Sequence, residues 1–346
     1  MSPDTHVHPD PRRERLEHWL REALRLPEVG IEPASTDASF RRYFRVRLAD
    51  RTLIAMDAPP DREDLGPFVR VAAALGAIGL SVPEVLAEDR AQGFLLLTDL
   101  GSTHYLAALT AGGDVEVLYR AAADALLRMQ LQGGPAAASL APYGVDLLDR
   151  ELQLFPDWFL TRHLGMELGD THRSVLARLS ALLCSAALEQ PPVFVHRDYH
   201  SRNLMVLAEG NPGILDFQDA VRGPVTYDLV SLYKDCYITW PRQRTLGWVA
   251  DYRRRALAMG MALPAEPEFL RWYDLMGLQR HLKVLGIFAR LWYRDGKSSY
   301  LGDLPTVLAY VRETCAAYDE LNELRRLLES EVVPRFAAAQ ARSVHR

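Results

Sequence analysis

The chain has 346 residues, 49% of them hydrophobic and 25% charged, with a net charge of −5. That length is more than one core supports, so two lobes are expected, and the mild acidity excludes the basic footprint of a nucleic-acid binder. No apolar run approaches the roughly 18 residues of a membrane span, and the polar, proline-rich residues 1–11 lack the apolar core of a secretory signal, which points to a cytoplasmic, membrane-free protein.

In chain order, residues 11–26 read as a helix, with Leu16, Trp19, Leu20, Ala23 and Leu24 at helical spacing and Pro27 and Gly30 beyond its end. Residues 31–60 are β-rich. Phe40, Tyr43, Phe44, Val46 and Leu48 mark one strand, residues 52–56 a second, and Ala49-Asp50 the turn between them. Residues 35–39 form a glycine-free loop rich in small hydroxyls. Residues 63–80 read as a helix, and 93–98 as a strand buried on both faces that runs into Asp99-Leu100-Gly101, a hinge. The small lobe is therefore placed at 1–98 and a larger, mostly helical lobe at 99–346, an α+β architecture. Helices follow over 115–131, 147–164, 172–188, 243–261, 267–293 and 304–328, and residues 337–346 are expected to fray. Cys184, Cys236 and Cys315 are odd in number and far apart, which fits thiols in a reducing compartment and neither a disulfide framework nor a zinc site.

The chemistry concentrates in one stretch. Apolar residues 193–195 lead into His196-Arg197-Asp198, then Asn203, a second apolar run from Leu204, and Ile214-Leu215-Asp216-Phe217. The form H-R-D-x-x-x-x-N between apolar runs, with a further aspartate 13 residues after Asn203, is the spacing of a kinase-type phosphoryl-transfer loop. Asp198 is the candidate base that takes the acceptor hydroxyl's proton. Asn203 and Asp216 offer hard oxygens for Mg²⁺. The hydroxyl loop, Ser39 included, stands where the loop over ATP phosphates belongs, or is an ordinary turn. Thr98, Asp99 and Leu100 stand where backbone groups would hold the adenine of ATP. His200, Asp219 and Arg280 are candidate acceptor contacts. For Arg280, a substrate carboxylate and an internal acidic partner are equally open readings. Asp228, opening a helix after Gly223-Pro224, is read as capping that helix or as holding the catalytic loop through backbone N–H groups.

The catalytic stretch, Asp216-Phe217-Gln218-Asp219 and Tyr227-Asp228-Leu229 resemble the aminoglycoside phosphotransferase-like kinases. The stretches Asp37-Ala38-Ser39-Phe40-Arg41-Arg42-Tyr43-Phe44-Arg45-Val46, Met56-Asp57-Ala58-Pro59-Pro60 and Gln279-Arg280-His281-Leu282-Lys283-Val284-Leu285-Gly286-Ile287-Phe288 resemble, more closely, the anomeric kinases of bacterial cell-wall recycling. That resemblance implies a bilobal, protein-kinase-like fold. It also implies ATP-dependent phosphorylation of the C1 hydroxyl of N-acetylmuramate and N-acetylglucosamine; a monomer is expected. Two departures stand out. The only lysines are Lys234, Lys283 and Lys297, so the small lobe lacks the lysine that usually holds ATP phosphates, leaving Arg41, Arg42 or Arg45 as substitutes. Gln218 replaces the glycine that follows Asp-Phe in a switchable protein-kinase loop. A kinase for another acceptor, such as an aminoglycoside, and a non-catalytic nucleotide-binding module are the competing readings.

Overall fold

The computed structural model describes residues 10–25, 28–36 and 40–343. The chain divides into two compact units. One comprises Met1–Thr103 with Met205–Gln218, and the other His104–Leu204 with Asp219–Arg346.

The first unit is built on a five-stranded antiparallel sheet. Its strands are β1 (Ile31–Thr36), β2 (Arg42–Arg47), β3 (Thr52–Asp57), β4 (Val85–Asp89) and β5 (Phe94–Thr98), in the spatial order β1-β2-β3-β5-β4. Asp10 caps helix α1 (Pro11–Leu24) by accepting from the Arg13 N–H, and Pro11 fits the first turn, where no N–H partner is needed. The helix stops at Arg25, which is left-handed at φ 54°. Leu16 and Leu20, four residues apart, bury one face of α1 against Ile31, Phe44, Val46, Leu53, Ala55, Phe94 and Leu96. Helix α2 (Leu65–Ala77) starts on Asp64, whose carboxylate accepts from the Gly66 N–H at 2.8 Å. The segment Met205–Gln218 belongs to this unit: Val206 N–H donates to the Thr103 carbonyl, Ile214 N–H donates to that of Ser81, and Phe217 packs on Phe68 with ring centroids 4.9 Å apart.

The second unit is helical. It holds α3 (Tyr105–Thr110), α4 (Val115–Gln132), α5 (Gly134–Ala137), α6 (Val145–Leu152), a π-helix at Phe155–His163, and α7 (Asp170–Leu188). A two-stranded ladder follows, Pro192–Val195 antiparallel to Val221–Pro224, then α8 (Tyr227–Tyr233), α9 (Arg242–Ala258), α10 (Glu266–Asp295), α11 (Leu304–Ala317), α12 (Asn322–Leu327) and α13 (Val333–Ser343). Helix α10 runs 30 residues through the centre of this unit and ends on Gly296, left-handed at φ 69°. Leu275, Leu278, Leu282, Leu285 and Ala289 are almost wholly buried along it. It can press this closely because Gly286 has no side chain. A Cβ there would lie 2.4 Å from the Leu154 carbonyl.

Several expectations are corrected. Strand β4 had no counterpart in the sequence reading. Residues 35 and 36, read as loop, close β1. The helix expected over 147–164 is α6 followed by the π-helix, and that over 304–328 breaks at Tyr318, which is extended at φ −131°, ψ 122°. Residues 337–343, expected to fray, are helical. Helix α13 continues to Ser343 and buries Phe336 and Ala339. Among the described residues no helix is long and apolar enough to cross a membrane.

Candidate active site

Within the second unit, the ladder strand Pro192–Val195 delivers the catalytic loop, and two buried aspartates pin it. Asp228, closed to solvent, accepts from the His196 N–H at 2.6 Å and the Arg197 N–H at 3.0 Å. Of the two structural roles read from the sequence, a helix cap or a loop anchor, this is the second. Asp235 accepts from the Ser201 N–H at 3.0 Å and from the Ser201 hydroxyl. Between the two anchors the loop is tied to itself. Asp198 N–H donates to His196 Nδ1 at 3.2 Å, and the Asn203 side-chain amide donates to the Asp198 carbonyl at 3.0 Å. An amide that donates through Nδ2 presents Oδ1 as its metal-ligating atom. Arg197 is left-handed at φ 79°, a conformation that costs a non-glycine residue about 1–2 kcal/mol and that the two Asp228 hydrogen bonds hold in place.

Asp198 is half-buried, so one side of it stays open. Burial pushes its carboxyl up, but Lys283, His200, Arg280 and Arg197 together bring it below the usual carboxylate range. It is therefore an anion near neutral pH. Two of those cations are held by Glu151 on α6, which pairs with Lys283 at 2.8 Å and Arg197 at 2.6 Å and also accepts from Tyr143 and Gln279. Burial alone would raise the Glu151 carboxyl; Lys283 and Arg197 lower it to about 2. Asp228 behaves oppositely. Burial lifts it to about 7 against the pull of its two backbone donors.

Within the first unit, Asp216 is left-handed at φ 62°, a second strained residue at a position singled out by the sequence. The Gln218 amide donates to its Oδ1 at 2.7 Å, which gives the unusual residue after Asp216-Phe217 a positioning task. Arg41 Nη1 lies 3.9 Å from Asp216, and its Nε donates to Glu63 at 3.1 Å. Arg42 is taken up by Asp57 and Asp10, and Arg45 by Asp99 and the Gly101 carbonyl. Of the three arginines considered as substitutes for the absent lysine, Arg41 is the one beside Asp216.

The candidate residues separate by unit. Asp198, His200, Asn203 and Arg280 share the second unit, and the first three share one loop. Asp219 joins them through its carbonyl, which accepts from Arg197 at 3.4 Å. Asp216, Thr98, Asp99 and Leu100 lie in the first unit. Thr98 and Asp99 have structural side chains: the Thr98 hydroxyl accepts from the Glu84 N–H at 2.9 Å, and Asp99 accepts from Arg45 and the Gly101 N–H. Ser39 lies outside the described residues. The sequence reading gave no role to Glu151, Lys283, Asp235 or Glu63. Lys283, one of three lysines in the chain and set in an apolar helix, was the available signal.

Residues 30–273 match the model of a phosphotransferase enzyme family. The chain belongs to that family. Within it, the chain is 49% identical over 332 residues to the N-acetylmuramate/N-acetylglucosamine kinase of Pseudomonas aeruginosa, covering 93% of this chain and 97% of that one. It is 46% identical over 330 residues to the kinase of the same name from Pseudomonas putida, covering 92% and 96%. The fold of this phosphotransferase also matches the solved structure of an ADP-bound aminoglycoside phosphotransferase, with a TM-score of 0.53 at 13% identity over 87% of this chain and 98% of the other. The family places the chain among enzymes that transfer phosphoryl groups to hydroxyl acceptors.

Proposed function

We propose that this phosphotransferase moves the γ-phosphoryl group of ATP to the anomeric C1 hydroxyl of N-acetylmuramate and N-acetylglucosamine, an activity that serves peptidoglycan recycling in the cytoplasm. The observation that carries the acceptor is the 49% identity over 93% of the chain with a kinase named for these two sugars. The C1 oxygen attacks the γ-phosphorus, the bond to the β,γ-bridging oxygen breaks to release ADP, and the hydroxyl proton passes to Asp198. An anomeric hydroxyl is more acidic than an ordinary alcohol, so a carboxylate held low by Lys283, His200, Arg280 and Arg197 still suffices as base.

The donor set Asn203 and Asp216 fits Mg²⁺: an amide oxygen and a carboxylate are hard ligands, and this ion completes its shell with water and phosphate oxygens. When bound, the ion neutralises phosphate charge. Arg41, held by Glu63, supplies the charge that the absent lysine would bring. Adenine contacts at Thr98, Asp99 and Leu100 would be made by the backbone, because the Thr98 and Asp99 side chains are already engaged.

A polycationic aminoglycoside is disfavoured by the cations around Asp198, and a non-catalytic module has no use for a base kept ionised. The test is an acceptor panel in which N-acetylmuramate, N-acetylglucosamine and an aminoglycoside are incubated with ATP and Mg²⁺. Sugar 1-phosphate from the first two is expected; turnover of the aminoglycoside alone would replace this reading with the competing one.

A further inference from the structure

Helix α10 carries Asp274, Gln279, Arg280, His281 and Lys283 in the buried interior of the second unit. Polar groups in such a place persist when each has a partner. Asp274 holds Lys234 at 2.9 Å and Arg242 at 2.8 Å. Gln279 donates to Glu151, His281 donates to the Lys234 carbonyl at 3.0 Å, and Lys283 pairs with Glu151. Gln279 Oε1 and His281 Nδ1 are left unpartnered, but Arg280 is the charged group among these five without an ion pair among the described residues. Among the described residues no carboxylate lies within salt-bridge distance of it. Its Nη1 reaches only the Cys236 sulfur, at 3.7 Å, a weak acceptor, and its Nε has no partner.

A guanidinium cannot shed its proton to escape this position, so it stays charged, and a buried charge without a bonded anion is costly. What faces it is informative. Asp198, Asp235, Cys236 and Tyr227 act on it through space. Asp235 is already engaged by Ser201 and the Tyr237 N–H. Asp198 is half-open and is the proposed base. His200 stands beside the same pair, and its Nδ1, closed to solvent, also has no partner. The unmatched Arg280 Nε and His200 Nδ1 thus both stand near the proposed base.

We propose that Arg280 receives the carboxylate of an acid-bearing acceptor, such as the lactyl ether carried by the same sugar ring as the reacting C1 hydroxyl, and thereby sets the preference for the acidic over the neutral amino sugar. The inference rests on the amino-sugar reading given above. It resolves the two readings left open by the sequence against an internal acidic partner. Neutral N-acetylglucosamine leaves the guanidinium unmatched, so it should be the poorer acceptor.

The test is the ratio of kcat/KM for N-acetylmuramate to that for N-acetylglucosamine in the wild type, Arg280→Met and Arg280→Lys. The ratio is expected to fall about 30-fold or more in Arg280→Met, as for truncating one partner of a buried charge pair. It should fall less in Arg280→Lys, which keeps the charge and loses the planar fork. A ratio within about threefold of wild type, however far both rates drop, overturns the proposal and assigns the guanidinium to the transferred phosphoryl group or to the framework. Should Arg280→Met not fold, the wild type alone decides. N-acetylmuramate methyl ester must then be a poorer acceptor than the acid by a comparable factor, and equal kcat/KM for acid and ester contradicts the assignment. A wild type that phosphorylates neither sugar overturns the acceptor reading as well, so the two failures are distinct.

Discussion

Two carboxylates in the second unit, Asp198 and Asp228, belong to one loop and its support, and their surroundings give each a different task. Asp198 is lowered by cations and stays ionised as base; Asp228 is raised to about 7 by burial while it holds the loop. Above that value both Asp228 oxygens accept backbone hydrogen bonds. Below it one oxygen carries a proton, and the His196 or Arg197 N–H loses its acceptor. Activity should therefore fall as pH drops through about 7, whereas titration of the base itself would act only below the carboxylate range. Asp228→Asn should lose this acid limb in a kcat/KM profile and run at a low, flat rate. A limb that survives unchanged would assign it elsewhere. In the first unit, Arg41→Met should raise KM for ATP about tenfold or more, the value of a charge-assisted hydrogen bond, with little effect on the acceptor KM. An unchanged ATP KM would remove Arg41 from the phosphate site.

Helices α6 and α10 are joined by Glu151, which meets Lys283 and Gln279 on α10 and Arg197 at the loop. Glu151→Gln leaves two cations facing each other with no carboxylate between them, and such a loss costs about 3–5 kcal/mol. Lys283 and Arg197 lower the folded Glu151 carboxyl to about 2 from the 4.5 of an ordinary glutamate, so its stabilisation is present above about pH 4.5 and is lost as pH falls toward 2. Chemical denaturation should show the variant less stable at neutral pH, with the gap closing in acid; a constant gap would deny the ion pairs their part. This link was illegible in the sequence, since residues 151 and 283 have no local spacing to connect them. The motif residues were legible for the opposite reason: proton transfer and metal binding require fixed residue types a few positions apart. Element boundaries failed where no glycine or proline punctuates the chain, as at Tyr318. Helix α13 was misread because burial of Phe336 and Ala339, a tertiary effect, outweighs proximity to the chain end.

At the scale of the whole molecule, helical spacing foretold a mostly helical C-terminal region, and the aromatic and apolar runs foretold most of the N-terminal sheet. Strand β4 escaped because its alternating, half-exposed pattern is short and carries charge. The candidate site was legible as a list of residue types and illegible as an electrostatic design. That Arg280 has no acidic partner among the described residues, that Gln218 steadies Asp216, and that Asp235 anchors the loop are facts of packing. The central claim is phosphoryl transfer from ATP to a sugar C1 hydroxyl with Asp198 as base. Phosphorus NMR of wild type and Asp198→Asn incubated with ATP, Mg²⁺ and N-acetylmuramate tests it most directly. The account predicts a product phosphorus coupled to the anomeric proton, formed about 10² to 10⁴ times more slowly by the variant. A product phosphorylated elsewhere, or a variant within about tenfold of wild type, would contradict it.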